Sequence, residues 1–514
     1  MRFIEKHITA HCLVRDTTIL VLLLARAVWA DAQTITLDQG VYTSSEFESR
    51  MDSLESGLAD RIVGRGNVVV RATEAAGFIS NPPHLTTTLA SAGVRGAFTI
   101  EVASAAGVVP GDWVRLRSDS LAEVGWSYGL ADVAYVESVA GSTVTLADSI
   151  HFDYESAGTT DVYFYRPRRV AIEGIRFDMR NWTDPTFSAA VRFEGFEVSL
   201  ERIAATGVRA DQLDVAQVVY SPWVRVRNLD VEGFKYGVLV ATCRDVVARE
   251  IVAHDVRHAI APTSWAADVR VSRLYGTDTD LDAHPSFDVV HDSCHIAAGG
   301  SISLRGFGMT LKNSTIVARR KTDRTYVGPI SLTDRGRAIA DDYEIVFDGV
   351  TYVGEVVGDP GYDLLTFYRS GLLSIANSTL SSVATVDFFR TEITDSRLGR
   401  FHGYAMDFDI RRTSFEAAMQ RRGAKPYPAL RGSFGGAALI EDCTFSGYAA
   451  TSLVGFASST TTDYTFRDCT FGRFAQVLGG TGQPIANYDP IKFVSCTFTS
   501  PLPTQPGLQI AVTP

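Results

Sequence analysis

The chain has 514 residues, 46% of them hydrophobic, with 43 Gly, 28 Phe and a formal net charge of −11. That length suits several ordinary domains or one long repeat architecture. The negative balance speaks against a nucleic-acid partner, which needs clustered cations, whereas an acidic polysaccharide stays compatible if local Arg and Lys line a groove.

Arg2, Lys6 and Arg15 precede the apolar run Thr18 to Ala25, and Val28-Trp29-Ala30 fits a small-residue cleavage site. Residues 1–30 therefore read as a secretory signal or leader, too short to span a bilayer. The expectation is a secreted or periplasmic protein with no membrane span. Next, Phe47, Met51, Leu54 and Leu58 recur at helical spacing behind Thr43 and Ser44. They predict a short capped helix whose apolar stripe packs into a core.

Between residues 61 and 165, segments such as FTIEVASAAGVVPGDWVRL alternate apolar and polar residues around Gly-containing turns. Together with the helix, residues 31–165 are expected to form an N-terminal cap, because the first coil of a solenoid otherwise exposes an apolar end. From residue 166 to 500 one pattern recurs: Ile172-EGIRF, Leu200-ERIAA, Val226-RNLDV, Ala248-REIVA, Val271-SRLYG, Leu311-KNSTI, and onward to Phe493-VSCTF. Most starts lie 22 to 30 residues apart; the gap of 40 after Val271 reads as an insertion beside a groove, where binding loops accumulate. A period in the twenties with short alternating strands predicts an all-β parallel β-helix, closed by a tail over 501–514.

Six cysteines, with no CxxC pair, make neither a disulfide framework nor a zinc site. Cys443, Cys469 and Cys496 recur at the coil period and are expected as buried small residues of an inward ladder on coils about 4.8 Å apart. Asn313 and Asn377 read as turn or ladder residues.

The densest cluster of titratable groups is VSRLYGTDTDLDAHPSFDVVHDSCH, Val271 to His295. Ten residues after several coil starts comes a turn into a second strand. Read coil by coil, that turn gives Tyr236, then Arg257-His258, then Asp282 to His284, then Lys321 to Arg324. If the register holds, these groups share one lateral edge. They suit removal of the proton beside a uronate carboxylate. Arg257, Lys321 or Arg324 would neutralise that carboxylate, His258 or His284 would act as base, and Tyr236 would return a proton. The aspartates would orient the imidazoles or hold Ca²⁺. Asp278 and Asp280 are the metal candidates, and Asp288 and His291 complete the substrate-binding set.

The repeat with its DxH and RH turns resembles the pectate-lyase-like right-handed parallel β-helix superfamily. The motif Asp282-Ala283-His284 is similar to the Asp-Pro-His of mannuronan epimerases, with Pro285 where the following acid would stand. VAHDVRHAI (252–260) is similar to their Arg-His turn, with Ala259 in place of Gly. The resemblance implies His284 as base, Asp282 as its carboxylate partner, and Tyr236 or His258 as the opposing group. It implies a lyase or epimerase that requires no cofactor beyond an optional Ca²⁺. Phage tailspike proteins share the fold, which leaves open a glycan-binding virion or surface protein, a polysaccharide hydrolase, and a homotrimer. Fold alone does not decide among these.

Overall fold

The computed structural model describes residues 33–121, 129–155, 160–184, 186, 188–208, 213–281, 284–298, 302–304, 306–318, 330–333, 344–354, 364–367, 371–386, 390–404, 407–420, 428–432, 436–456, 462–479, 491–503 and 510–514. The leader, Asp282, Lys321 and Arg324 lie outside these residues.

The strands stack as a right-handed parallel β-helix. In one long sheet Arg169–Asp178 pairs in parallel with Glu197–Thr206, then Val224–Glu232, Val246–His254 and Ala266–Thr277. The opposing wall is a five-stranded sheet of Gly77–Ser80, Ala189–Glu194, Asp214–Val219, Tyr236–Ala241 and His258–Thr263. Further along, an eight-stranded parallel sheet from Ile302–Leu304 to Gln476–Gly479 takes over.

The repeat has a backbone cause. At the same place in successive coils one residue takes a left-handed φ: Gly174, Arg202, Asn228, Glu250, Arg273, Asn313, Gly349, Asn377, Asp395, Asp442 and Asp468 are examples. That residue turns the strand through a corner, so inward side chains before and after it both reach the core. A left-handed residue with a Cβ costs about 1–2 kcal/mol, least for Asn and Asp, and the parallel ladders on either side hold it there. Asn377 also donates from Nδ2 to Asp348 Oδ1 of the preceding coil at 2.7 Å. Asn377→Val is therefore expected to lose about 1–2 kcal/mol, read as a lower denaturant midpoint, whereas Asn377→Gly should lose less.

The residue after the corner points inward: Ile175, Ile203, Leu229, Ile251 and Leu274 in the first coils, and mostly a small Ser, Thr or Cys in the later ones. Ser378 Oγ donates to Ala376 O (2.6 Å) and receives Val350 N–H (3.1 Å), while Ser396 repeats the arrangement towards Thr394 O and Ser378 N. Cys443, Cys469 and Cys496 hold this position in the last coils, and all are free thiols. Burial pushes the Cys294 thiol, at the same position, up to about 12.

The 40-residue gap after Val271 is not a binding-loop insertion alone. Ser286–Asp292 pairs with Ala266–Thr277 on one side and with Phe307–Lys312 on the other, and Ser293 supplies the left-handed corner. The gap hides a complete coil whose VVHDSCHI has His291 in place of the usual apolar residue two places before its corner.

The start of the chain also departs from expectation. Arg61–Arg71 already pairs with Arg169–Asp178, and Thr34–Leu37 and Gly40–Thr43 pair with Arg61–Arg71. The solenoid thus begins at residue 34, not 166. The helix Ser44–Glu55 packs on the core of these coils, with Thr43 and Glu46 forming a reciprocal capping box and Phe47, Met51 and Leu54 fully buried. Leu58 lies beyond the helix and is exposed.

Residues 85–165 form a separate six-stranded antiparallel sheet. It packs against the side of the coils. Its Phe152 meets Trp265 edge-on at 4.9 Å and Phe287 at 5.3 Å, and Trp265 Nε1 donates to Gly129 O at 2.9 Å. Among the described residues, no helix is long and apolar enough to cross a membrane.

Candidate functional site

The site grows out of coil register. Asp214, Tyr236 and His258 open three consecutive strands of the five-stranded sheet and lie opposite one another, and an isolated parallel bridge adds Asp280 above His258. Successive members of the four stand 22 residues apart. Gly237 follows Tyr236 at a point where a Cβ would collide with the Ala259 carbonyl, so only glycine lets these two strands meet here.

The rings close into a trio. Tyr236 and His258 stack at 5.2 Å with planes 13° apart. His284 meets both edge-on, at 6.3 Å from Tyr236 and 5.4 Å from His258, and its backbone N–H donates to Pro262 O at 3.2 Å. His258 Nδ1 bonds Asp280 Oδ1. A carboxylate on one imidazole nitrogen fixes the ring and directs the other nitrogen, here Nε2, to proton transfer. All three rings are more than nine-tenths buried, so a proton moving among them is shielded from bulk water.

Three expected site residues therefore share one place, and two others are redistributed. Asp280, a metal candidate on sequence grounds, is the carboxylate partner of an imidazole. That imidazole belongs to His258, whereas the expected pair was Asp282 with His284. Asp278 takes a left-handed φ at the preceding turn. Among the described residues, no group of three or more His, Cys, Asp or Glu side chains is placed to hold a metal.

Arg257 is exposed beside His258, with its backbone N–H on Phe234 O and its carbonyl receiving the Asp280 N–H. His291 is not on this edge. It occupies the interior column between Val271 and Leu311, a place the alternation of the hidden coil dictates. Asp288 lies at the seam with the antiparallel module, near Asp268, His151 and Arg244.

Two residues escaped the sequence reading. Lys235 sets its ammonium 4.9 Å from the centre of the Tyr236 ring, a cation–π contact at the edge of the site. Asp214 lies one coil below Tyr236 and is almost fully buried. Its Oδ2 accepts from Gln217 Nε2 at 2.8 Å, while Oδ1 has no partner. Burial raises its carboxyl to about 7, against the opposing pull of the Gln217 bond and the Lys235 charge. The constant 22-residue step was the signal for both Asp214 and Asp280.

The buried Asp214 carboxyl makes stability depend on pH. The folded state holds this proton more tightly than the unfolded chain, so its stabilising contribution is full below about pH 4 and is lost as pH rises through about 7. Asp214→Asn is expected to unfold at a temperature that rises relative to the unsubstituted protein between about pH 4 and 8. A temperature difference that stays flat over that range would show that Asp214 is not held protonated.

No family model and no curated protein sequence matches the chain. Among solved structures it is similar to the tailspike of Acinetobacter baumannii bacteriophage AP22 bound to capsular saccharide. The identity there is 13%, over 93% of this chain and 74% of that one, with a TM-score of 0.42. For the tailspike protein of Pseudomonas phage LKA1 the identity is also 13%, over 93% and 73%, with a TM-score of 0.39. For the catalytic domain of a GH87 α-1,3-glucanase with nigerose it is 11%, over 82% and 91%, with a TM-score of 0.30. At this distance the chemistry of the chain rests on its own residues.

Proposed function

We propose that the protein acts on an acidic polysaccharide by proton abstraction, as a lyase or an epimerase. The observation that carries this is the packed trio of Tyr236, His258 and His284, with Asp280 on His258 Nδ1. His258 Nε2 takes the proton from the carbon beside the uronate carboxylate. Arg257 and Lys235 offset the charge that the carboxylate gains as that proton leaves. In elimination the C–H and the neighbouring C–O bonds break, a C=C bond forms, and Tyr236 protonates the departing oxygen. In epimerisation the C–O bond stays, and a proton returns to the opposite face. His284, against both rings, holds their relative orientation.

Hydrolysis fits the row less well. Its two acids, Asp214 and Asp280, stand three strand spacings apart, about 14 Å, beyond the roughly 5–10 Å over which a carboxylate pair cleaves a glycoside. No cofactor is needed for the scheme; a Ca²⁺ bridge to the substrate carboxylate would show as lost activity in EDTA. A secreted or virion-borne protein, and a homotrimer, accord with a polymeric substrate met outside the cell, and mass determination in solution tests the trimer.

The experiment is incubation with alginate, pectate and bacterial capsules while following the ultraviolet absorbance of the unsaturated uronate. Absorbance growth identifies a lyase, and solvent-deuterium incorporation without it identifies an epimerase. Binding with neither signal would replace catalysis by glycan adhesion.

A further inference from the structure

A second feature of the five-stranded sheet lies outside the ring trio. Phe78, Arg192, Gln217, Leu239 and Ala261 face one another across its five strands. Their neighbours Ile79, Val191, Val218, Val238 and Ile260 belong to the core, so this row is the outer face of the sheet. Ala261, in the strand of His258, is fully buried, whereas Phe78 at the other end is 43% exposed.

At that open end is a cleft of about 70 Å³ lined by Gly77, Phe78, Thr186, Ser188, Arg192 and Gln217. Its groups are of two kinds. An aromatic face is presented by Phe78, with the Arg192 guanidinium 5.2 Å from the ring centre. The polar side has Arg192, whose Nε is shut off from water without a hydrogen-bond partner and whose terminal nitrogen makes one long contact of 3.5 Å to Glu194. The side chain as a whole is 37% exposed, so its terminal nitrogens, held by that one long contact, can take a carboxylate through the planar fork.

The cleft and the ring trio are joined. Gln217 Nε2 donates to Ser188 Oγ at 3.0 Å inside the cleft and to Asp214 Oδ2 at 2.8 Å in the reactive row. From the strand of Phe78 to that of Tyr236 is three strand spacings, about 14 Å, the reach of a short oligosaccharide laid along the helix axis.

We propose that this cleft is a distal subsite for one uronate residue of a polymer chain that runs along the coils to Tyr236 and His258. The sugar's C–H face rests on Phe78 and its carboxylate on Arg192, with Ser188 and Gln217 left for hydroxyl groups. The assignment rests on the proposed uronate chemistry for its substrate class, and the cleft adds the chain's direction and a length requirement. Binding at this subsite also ties remote contact energy to positioning at the reactive row.

The test is calorimetric titration with a uronate dimer and hexamer, and with a neutral glucan hexamer as control. The unsubstituted protein should favour the uronate hexamer. Arg192→Ala and Phe78→Ala should each weaken hexamer binding by about 10-fold or more, bringing Arg192→Ala close to the dimer's affinity, with Arg192→Lys between. Circular dichroism of the three variants establishes that the coils are intact. Equal hexamer affinity for the unsubstituted protein and both alanine variants would overturn the subsite, as would neutral hexamer bound as tightly as uronate. A uronate hexamer that binds through Arg192 and Phe78 but is never turned over would instead sink the proton-abstraction reading and leave the subsite standing.

Discussion

His258→Ala is expected to lower turnover of a uronate polymer by about 10²- to 10⁴-fold, the usual contribution of a positioned general base. The expectation comes from the two sides of one ring. Its Nδ1 is held by Asp280, which leaves Nε2 as the proton-handling atom, and its face is stacked on Tyr236. Asp280→Asn keeps the shape of the pair but removes the charge that stabilises an imidazolium. It should therefore slow turnover less than the loss of the ring does. Tyr236→Phe keeps the stack and deletes only the hydroxyl, so an elimination that needs a protonated leaving oxygen should slow while substrate affinity changes little. A His258→Ala protein with at least half the original rate would remove the ring trio from the mechanism.

The second large effect is structural. Phe466→Ala is expected to cost about 3–5 kcal/mol, as for other buried aromatic truncations. The ring is fully buried, lies 5.1 Å from Phe493 in near-parallel stacking, and is met edge-on by Phe471 at 5.5 Å and Phe445 at 5.9 Å. In a solenoid each coil touches only its neighbours, so the damage should stay near the last coils. Limited proteolysis should release fragments from beyond about residue 440, while the Tyr236–His258 region keeps its hydrogen-exchange protection. Equal loss of protection along the whole chain would contradict this local account.

The asymmetry between these two effects explains what was legible beforehand. The period, the inward columns and the helix at the chain's start are short-range patterns, and each coil repeats them under the same constraint: an apolar residue inward, a left-handed residue at the corner, a buried one after it. Such redundancy survives substitution, because Asn, Asp, Gly and even Arg at the corner all leave the coil length intact. Where one coil broke the pattern, at VVHDSCHI, the gap read as an insertion and His291 was misplaced from the core to the groove.

Residue types and the coil period by themselves determined an all-β solenoid, an inward cysteine ladder, buried at Cys443 and Cys469 and half-buried at Cys496, and the nearness of Tyr236, His258 and His284. Tertiary structure decided the rest. Parallel pairing of His258 with Asp280, two residues before the Asp of the DxH motif, chose the carboxylate partner. Burial singled out Asp214 from the other aspartates. The antiparallel module went to the side of the coils because Trp265, Phe287 and Phe307 offered an apolar face there. Register and desolvation are set by neighbouring coils, and a strand shifted by two residues keeps its alternation while changing every partner.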